Sequence, residues 1–108
     1  MPRFHTDFHF QLQLSDPKPR LIDARCMDIS SDGLAAKMAE QLETGTSVVL
    51  MLAFPGHRET LRLPARVSHQ QRGDHGFVFS FNSQRERETI QKYISSLRRT
   101  VAFHRPAR

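Results

Sequence analysis

The residues best equipped for chemistry lie together in one short stretch, Asp28 to Gly33. It holds a carboxylate that can only accept hydrogen bonds, two small hydroxyls at Ser30 and Ser31, and a glycine that is free to adopt a positive φ. These residue types are typical of a turn that presents polar groups. Two interpretations follow: a recognition site held on a packed sheet, or a turn that only closes a β-hairpin.

Enzyme chemistry has little support elsewhere in the chain. The sequence carries no glycine-rich phosphate loop, no nucleophile context beyond ordinary composition and no close carboxylate pair on an expected cleft wall. His5 and His9 lie in an extended segment, where a spacing of four does not bring two rings to one ion. We therefore expect no catalytic residue, no metal and no cofactor, with all six histidines on the surface.

Alternation of apolar and polar residues predicts the strands that must position the polar stretch. In residues 8–14 every second side chain is apolar, which is typical of a half-buried strand. Residues 47–54 are almost wholly apolar and rich in valine, which predicts a strand buried on both faces. The six predicted strands are residues 8–14, 21–29, 34–38, 47–54, 61–68 and 76–81.

The C-terminal part of the chain predicts one amphipathic helix over residues 83–101. Ser83 and Glu86 have the spacing of a capping box, which marks a helix start. Apolar residues then recur along one helical stripe. These are Ile90, Tyr93, Ile94, Leu97 and Val101. We expect the stripe to pack on the sheet; a helix presented to a partner is the second interpretation. Residues 102–108 form a basic tail.

Charge is concentrated at the C-terminal end. The net charge is +5, and residues 84–108 hold seven basic and two acidic side chains. A basic end can attract nucleic acid, anionic lipid or an acidic protein. Charge alone is not specific, and a solvated end is the commoner explanation. Nucleic-acid binding is therefore the least favoured function.

Apolar content and cysteine usage predict a cytoplasmic protein with no membrane span. The longest apolar run, residues 48–54, has seven residues, and residues 1–14 do not resemble a signal peptide. Cys26 is the only cysteine, so no intramolecular disulfide can form. We expect it to be a buried structural thiol.

The spacing Asp28-x-Ser30-x-x-Gly33 resembles the D-x-S-x-x-G signature of PilZ domains, bacterial modules that sense the second messenger cyclic di-GMP. The order of the whole chain is similar to that family: a basic arm, the strands and a C-terminal helix. The resemblance implies a mainly β fold, a small split six-stranded antiparallel β-barrel with a C-terminal α-helix. It would form one domain, with an arm at residues 1–7 and a barrel at 8–81. The residues alone leave barrel and sandwich open.

The resemblance also implies a nucleotide site. Asp28, Ser30 and Gly33 would face guanine, while arginines would pair with phosphate or with the O6 and N7 atoms of guanine. Ligand-binding members carry R-x-x-x-R in the arm, but here the stretch runs from Arg3 to Asp7, so an aspartate replaces the second arginine.

Three other arginines are candidates to replace it. They are Arg20, Arg25 and Arg66. The predicted ligand-binding set is Asp28, Ser30, Gly33, Arg3, Arg25 and Arg66.

Two functions remain. The first is a cyclic di-GMP-binding signalling module that changes a partner surface when the ligand binds, and the intact signature favours it. The second is a PilZ-like adaptor that does not bind the nucleotide and acts through protein contacts in motility or pilus machinery. The aspartate in the arm favours the second. Both imply a protein partner and no enzyme activity.

Overall fold

Six β-strands and one α-helix follow one another in this computed structural model, which describes residues 2–15 and 17–103, with side chains to residue 98. The elements are β1 (Phe4–Leu14), β2 (Arg20–Ile29), β3 (Gly33–Lys37), β4 (Ser47–Leu52), β5 (Leu61–Gln71), β6 (Asp74–Phe79) and α1 (Gln84–Phe103). The strands close into an antiparallel barrel in the order β1-β2-β3-β6-β5-β4. The predicted barrel with a C-terminal helix is confirmed.

Strand β1 begins earlier than predicted. It starts at Phe4, so the interpretation of residues 4–7 as an arm is wrong. The alternation continues through them, since Phe4 and Thr6 are half-buried while His5 and Asp7 are exposed. The sequence hides this because the inward residue Thr6 is polar. The other observed strand ends differ from the predicted ones by at most three residues.

The barrel interior and one face of α1 form a single apolar core. Side chains from different strands, including Leu12, Leu50 and Leu63, have no exposed surface. The predicted helix stripe packs against them, since Ile90 and Tyr93 are buried. Residues 102 and 103, predicted to belong to the basic tail, continue α1 instead. The Val101 side chain and residues 104–108 of the predicted tail lie outside the described residues. Burying this apolar surface is the main favourable contribution to folding.

The helix start follows the predicted capping pattern with one difference. The Glu86 N–H donates to Ser83 Oγ at 3.3 Å, but the Glu86 carboxylate accepts from the Asn82 N–H at 2.6 Å, one residue before the usual partner. The first bond satisfies one of the N–H donors that a helix start leaves unpaired, and the second holds the residue before the cap against the helix. Among the described residues, no helical segment has the run of apolar side chains that a transmembrane helix needs.

Strand β4 is not buried on both faces. Val49 and Met51 are half-buried, whereas the residues between and beside them are buried. A closed barrel has one interior, so the other face of every strand points outward. A continuous apolar run in a short strand therefore does not imply a central strand.

His75 is buried, which contradicts the prediction that all the histidines are on the surface. Its exposed fraction is 1%. The Leu42 N–H donates to Nε2 at 3.0 Å, so Nδ1 carries the proton and donates to the Gly73 carbonyl at 3.2 Å. The neutral ring thus ties the link after β3 to the β5–β6 turn. The other described histidines, His5, His9, His57 and His69, are exposed or half-buried.

Replacing His75 by Leu should lower the free energy of unfolding by about 1–3 kcal/mol, because the Leu42 N–H would stay buried without an acceptor. Urea denaturation at neutral pH measures this change. The control His9→Leu, at an exposed position of β1, should change stability by less than about 0.5 kcal/mol. Equal stability of His75→Leu and the wild type would contradict the structural role of the ring.

Candidate functional site

The polar stretch singled out from the sequence closes the β2–β3 hairpin. The Ser30 N–H donates to the Gly33 carbonyl at 2.8 Å, and the Ser30 hydroxyl donates to the same oxygen at 3.3 Å. The Asp32 N–H donates to Ser30 Oγ at 3.3 Å. Ser30 is buried, with 5% of its surface exposed. Its hydroxyl therefore stabilises the turn, and a contact from it to a ligand stays a prediction.

Gly33 is required by the packing of two strands. The glycines with positive φ in the described residues are Gly45, Gly56 and Gly73, so Gly33 does not use its freedom to adopt a positive φ. A Cβ at Gly33 would lie 2.1 Å from the carbonyl oxygen of Phe77 in β6. The glycine thus permits a close approach between the backbones of β3 and β6.

Asp28 is placed on the outer face of the barrel by a register shift. The β2–β3 pairing shifts between Cys26 and Asp28, after which Asp28 lies opposite Ala35 of β3 and, on its other side, His5 of β1. The Arg3 guanidinium forms an ion pair with its carboxylate. The Asp28 side chain is 26% exposed and that of Arg3 is 52% exposed. The two groups therefore meet where a ligand can reach them.

Cys26, beside this bulge, is a buried structural thiol as predicted. It has no exposed surface, and its sulfur donates to the Asp28 carbonyl at 3.4 Å. Burial, with a smaller effect from the Asp28 charge, raises the pKa of the Cys26 thiol to about 12. A thiol with this pKa stays protonated near neutral pH and is a poor nucleophile.

Arg25 is engaged by the aspartate that stands at the second arginine position of the arm motif. Its Nε donates to Asp7 Oδ1 at 2.7 Å and its Nη2 to Oδ2 at 2.5 Å. The hydrogen bond from Arg25 lowers the pKa of Asp7 and keeps its carboxylate ionised. Both side chains are about half exposed. Arg25 therefore lies near the candidate site, but its Nε and Nη2 donors already bind Asp7.

Arg66 shares an outer row with Gly33. Arg66 of β5 lies opposite Val78 of β6, and Val78 lies opposite Gly33 of β3. Two strand spacings put Arg66 about 10 Å from Gly33. Arg66 is exposed and forms no ion pair within the described part of the chain. It is thus the predicted arginine most accessible to an anion.

Arg20 does not join this group. It lies at the opposite end of β2 from Asp28, eight residues away along an extended strand, which corresponds to about 25 Å. There it forms an ion pair with Glu40. The structure thus brings Arg3, Asp28 and the Ser30–Gly33 turn together, with Arg25 and Arg66 at their edges.

Lys37 and Arg72 are additional cations that the sequence reasoning missed. Lys37 lies between Arg25 and Asp74 in one outer row, and its Nζ is 3.2 Å from the Asp74 carboxylate. Arg72 occupies the β5–β6 turn with a φ of 50°. Together with Arg25 they line a cleft of about 390 Å³. The alternation of the strands indicated that these side chains point outward. Only the strand register showed that they lie next to one another.

The outer face can therefore recognise a planar, anionic ligand. Arginine donors and an aspartate acceptor lie side by side at Arg3 and Asp28, which suits a ring with one acceptor edge and one donor edge. Arg66 and the cations of the cleft supply positive charge for anionic groups. No three metal-binding side chains lie together in the described residues.

Comparisons with known proteins agree on one family. The family model described as the PilZ domain matches residues 2–96. The PilZ domain of CeSA from a cellulose-synthesizing bacterium has a TM-score of 0.74 and 21% identity, covering 91% of this chain and 99% of its own. The PilZ domain with c-di-GMP of YcgR from Escherichia coli has a TM-score of 0.70 and 16% identity, covering 93% and 91%.

A third similar structure is the inhibitor of motility MotI/DgrA of Bacillus subtilis, with a TM-score of 0.67 and 16% identity. It covers 98% of this chain and 53% of its own length. At these identities the structural likenesses show the fold alone. No curated protein sequence matches the chain significantly.

Substituting Gly33 by Ala should lower the free energy of unfolding by about 3 kcal/mol, the upper part of the range for overpacking. The reason is that the new Cβ would meet a backbone oxygen of β6, which cannot rotate away. Urea denaturation measures the loss.

Gly76→Ala is the matched control in the adjacent strand. There the nearest atom to the new Cβ is the His69 ring, at 2.2 Å. This exposed side chain can rotate, so the loss should be below about 1 kcal/mol. A Gly33→Ala variant as stable as Gly76→Ala would contradict the close approach of β3 and β6.

Proposed function

This chain belongs to the PilZ domain family, and from that premise we propose that it binds cyclic di-GMP on the outer face around Asp28 and signals the binding to a protein partner. The observation that carries the proposal is the meeting of Arg3 with Asp28 across 25 residues of sequence. In this pair a donor group of the arm motif and an acceptor group of the signature meet at one exposed point. The ligand-bound YcgR domain has a similar fold and supports the proposal.

Guanine is complementary to this pair of side chains. The Asp28 carboxylate can accept from the ring N–H and the amino group of guanine, while the Arg3 guanidinium can donate to O6 and N7 or to a phosphate. In the free protein the two side chains bind each other. The ligand would therefore exchange one partly exposed ion pair for several charge-assisted hydrogen bonds.

The neighbouring outer row supplies the remaining contacts. Gly33 itself is buried, but Val78 opposite it in β6 is 45% exposed. An exposed apolar side chain can contact the flat face of a base. Arg66, beyond Val78, has no ion-pair partner in the described residues and would bind a phosphate.

The second candidate is the adaptor that does not bind the nucleotide. The Asp7–Arg25 ion pair favours it, because the Asp7 carboxylate repels phosphate and binds the Arg25 donors that a ligand would need. In both candidates the chain has no catalytic role and lies in the cytoplasm, which its single buried cysteine favours. Ligand titration separates the two candidates.

Isothermal titration of the wild type should give saturable heat with cyclic di-GMP and none with cyclic di-AMP, because adenine lacks the O6 acceptor and the donor pattern of guanine. Asp28→Ala should weaken binding by about 10- to 150-fold, since a charge-assisted acceptor is lost. Absence of heat from the wild type at millimolar ligand would refute the proposal and leave the adaptor.

The matched control is Glu40→Ala. It also removes a carboxylate from an exposed ion pair with an arginine, but at the far end of β2 from Asp28. It should leave the affinity within about twofold, as expected for an exposed pair outside the site. Equal losses in Asp28→Ala and Glu40→Ala would place the ligand elsewhere.

Asp7→Asn should strengthen cyclic di-GMP binding by about two- to fivefold, because it removes a repulsive charge and frees Arg25 for the ligand. The gain should shrink at high salt. Glu40→Gln is the control, since it frees Arg20 from a similar ion pair at the far end of β2 and should not change the affinity. Unchanged binding in Asp7→Asn would exclude Arg25 from the site.

A further inference from the structure

Arg3 and the first residues of β1 contact both the candidate site and α1. We name residues 3–8 the β1 strap. Its outward side chains, including those of Arg3 and Asp7, belong to the candidate site. Its inward side chains point to the opposite side of the strand, because successive residues of a strand alternate. A movement at the site therefore moves the inward residues as well.

All three inward residues of the strap contact α1. The Arg98 guanidinium lies 5.1 Å from the centre of the Phe4 ring. The hydroxyls of Thr6 and Tyr93 are 2.5 Å apart. The Phe8 ring meets the Tyr93 ring edge-on, with centroids 5.9 Å apart. The helix is thus attached along the whole length of the strap.

The sheet holds the strap less firmly than it holds the rest of β1. The β1–β2 register shifts between His5 and Phe8, so Thr6 and Asp7 have no paired residue in β2. Pairing of β1 with β4 covers only residues 11–13. Within the described residues, the middle of the strap therefore lies in a bulge, and bulged positions of this kind bend and shift more readily than a regular ladder.

Tyr93 connects the strap to the rest of the core. Its ring stacks on Phe54 with centroids 4.2 Å apart and an angle of 14° between the planes. The side chain is buried, and burial raises the pKa of Tyr93, so the phenol stays protonated and shares one hydrogen bond with Thr6. The stacked ring holds the Tyr93 hydroxyl in place, so its hydrogen bond to the part-buried Thr6 hydroxyl has little freedom to adjust. It therefore joins the strap to α1 with a defined geometry.

We propose that the Thr6–Tyr93 hydrogen bond positions the β1 strap for ligand binding and that α1 is the element that senses the ligand. This inference rests on the proposed function for the identity of the ligand. Tyr93 acts as a positioning residue, since it lies on the opposite side of the strap from Arg3 and Asp7. The bond holds the strap in an ordered arrangement before the ligand arrives, which lowers the cost of ordering it on binding.

The coupling must act in both directions. If the helix contact improves ligand affinity, ligand binding stabilises the helix contact by the same factor. The protection of α1 by cyclic di-GMP and the change in ligand affinity on substitution of Tyr93 therefore both report the coupling free energy between the site and α1. A purely structural role of Tyr93 would affect stability and leave both of these unchanged.

The first experiment needs no ligand. Amide hydrogen exchange is measured for residues 4–8 and 90–98 in the wild type, Tyr93→Phe and Thr6→Val. Tyr93→Phe keeps the ring stacked on Phe54, and Thr6→Val keeps the shape of the side chain. Both variants should exchange faster in residues 4–8.

The second experiment adds the ligand. Tyr93→Phe and Thr6→Val should each bind cyclic di-GMP about two- to tenfold more weakly, the range for one neutral hydrogen bond. The double variant should be no weaker than either single variant, because both remove the same bond. In the wild type, cyclic di-GMP should slow exchange in residues 90–98, and Tyr93→Phe should reduce this protection.

Thr89→Val is the matched control. It makes the same substitution on α1, where the hydroxyl bonds only to the Arg85 carbonyl of its own helix. It should leave exchange in the strap and ligand affinity as in the wild type.

Unchanged exchange of residues 4–8 in both Tyr93→Phe and Thr6→Val would overturn the positioning role, whether or not a ligand binds. Ligand binding without any change in residues 90–98 would overturn the sensing role of α1. If the wild type does not bind cyclic di-GMP, the proposed function fails and the sensing role fails with it. Faster exchange in the variants would then still support the positioning of the strap by Tyr93.

Discussion

The close approach of β3 and β6 at Gly33 is the contact on which the rest of the structure depends. Strand β3 has only five residues, yet it lies between β2 and β6 and so joins the two halves of the barrel. The Phe79 N–H donates to the Asp32 carbonyl at 2.8 Å, which fastens the hairpin end to β6. The same hairpin carries Asp28 and Ser30. The close approach of the β3 and β6 backbones therefore both closes the barrel and positions the candidate site.

The charged groups of the outer face are paired with one another in the absence of a ligand. Arg3 binds Asp28, Arg25 binds Asp7 and Lys37 binds Asp74. Because these pairs are partly exposed, each contributes little to stability. They orient the side chains without closing the surface, and an anionic ligand can exchange them. The balance between self-pairing and ligand pairing then sets the affinity.

Several features could be predicted from the sequence, and the failures have physical causes. Alternating or continuous apolar residues identified every strand, and the helical stripe from Ile90 to Val101 identified α1. Thr6 was missed as an inward residue because it is polar. Its hydroxyl forms a hydrogen bond with the Tyr93 hydroxyl, a partner that the strand pattern does not reveal. His75 was assigned to the surface because its two partners are backbone groups, which no side-chain pattern reveals. The strict need for glycine at position 33 was not predicted, since the obstacle to a side chain comes from the backbone of β6.

Period-two and helical patterns in the sequence predict a mainly β chain with one C-terminal helix, because they decide locally which side of each element faces the core. The stretch that carries the signature is equally visible in the sequence. The pairing of the charges, in contrast, follows from the three-dimensional structure. Arg3 finds Asp28, and Arg25 finds Asp7 rather than a free surface, through a register shift in the β1–β2 pairing. Register and bulges depend on pairing between distant segments, and a shift of one residue turns a side chain to the other face. Local patterns therefore cannot specify the partners of these side chains.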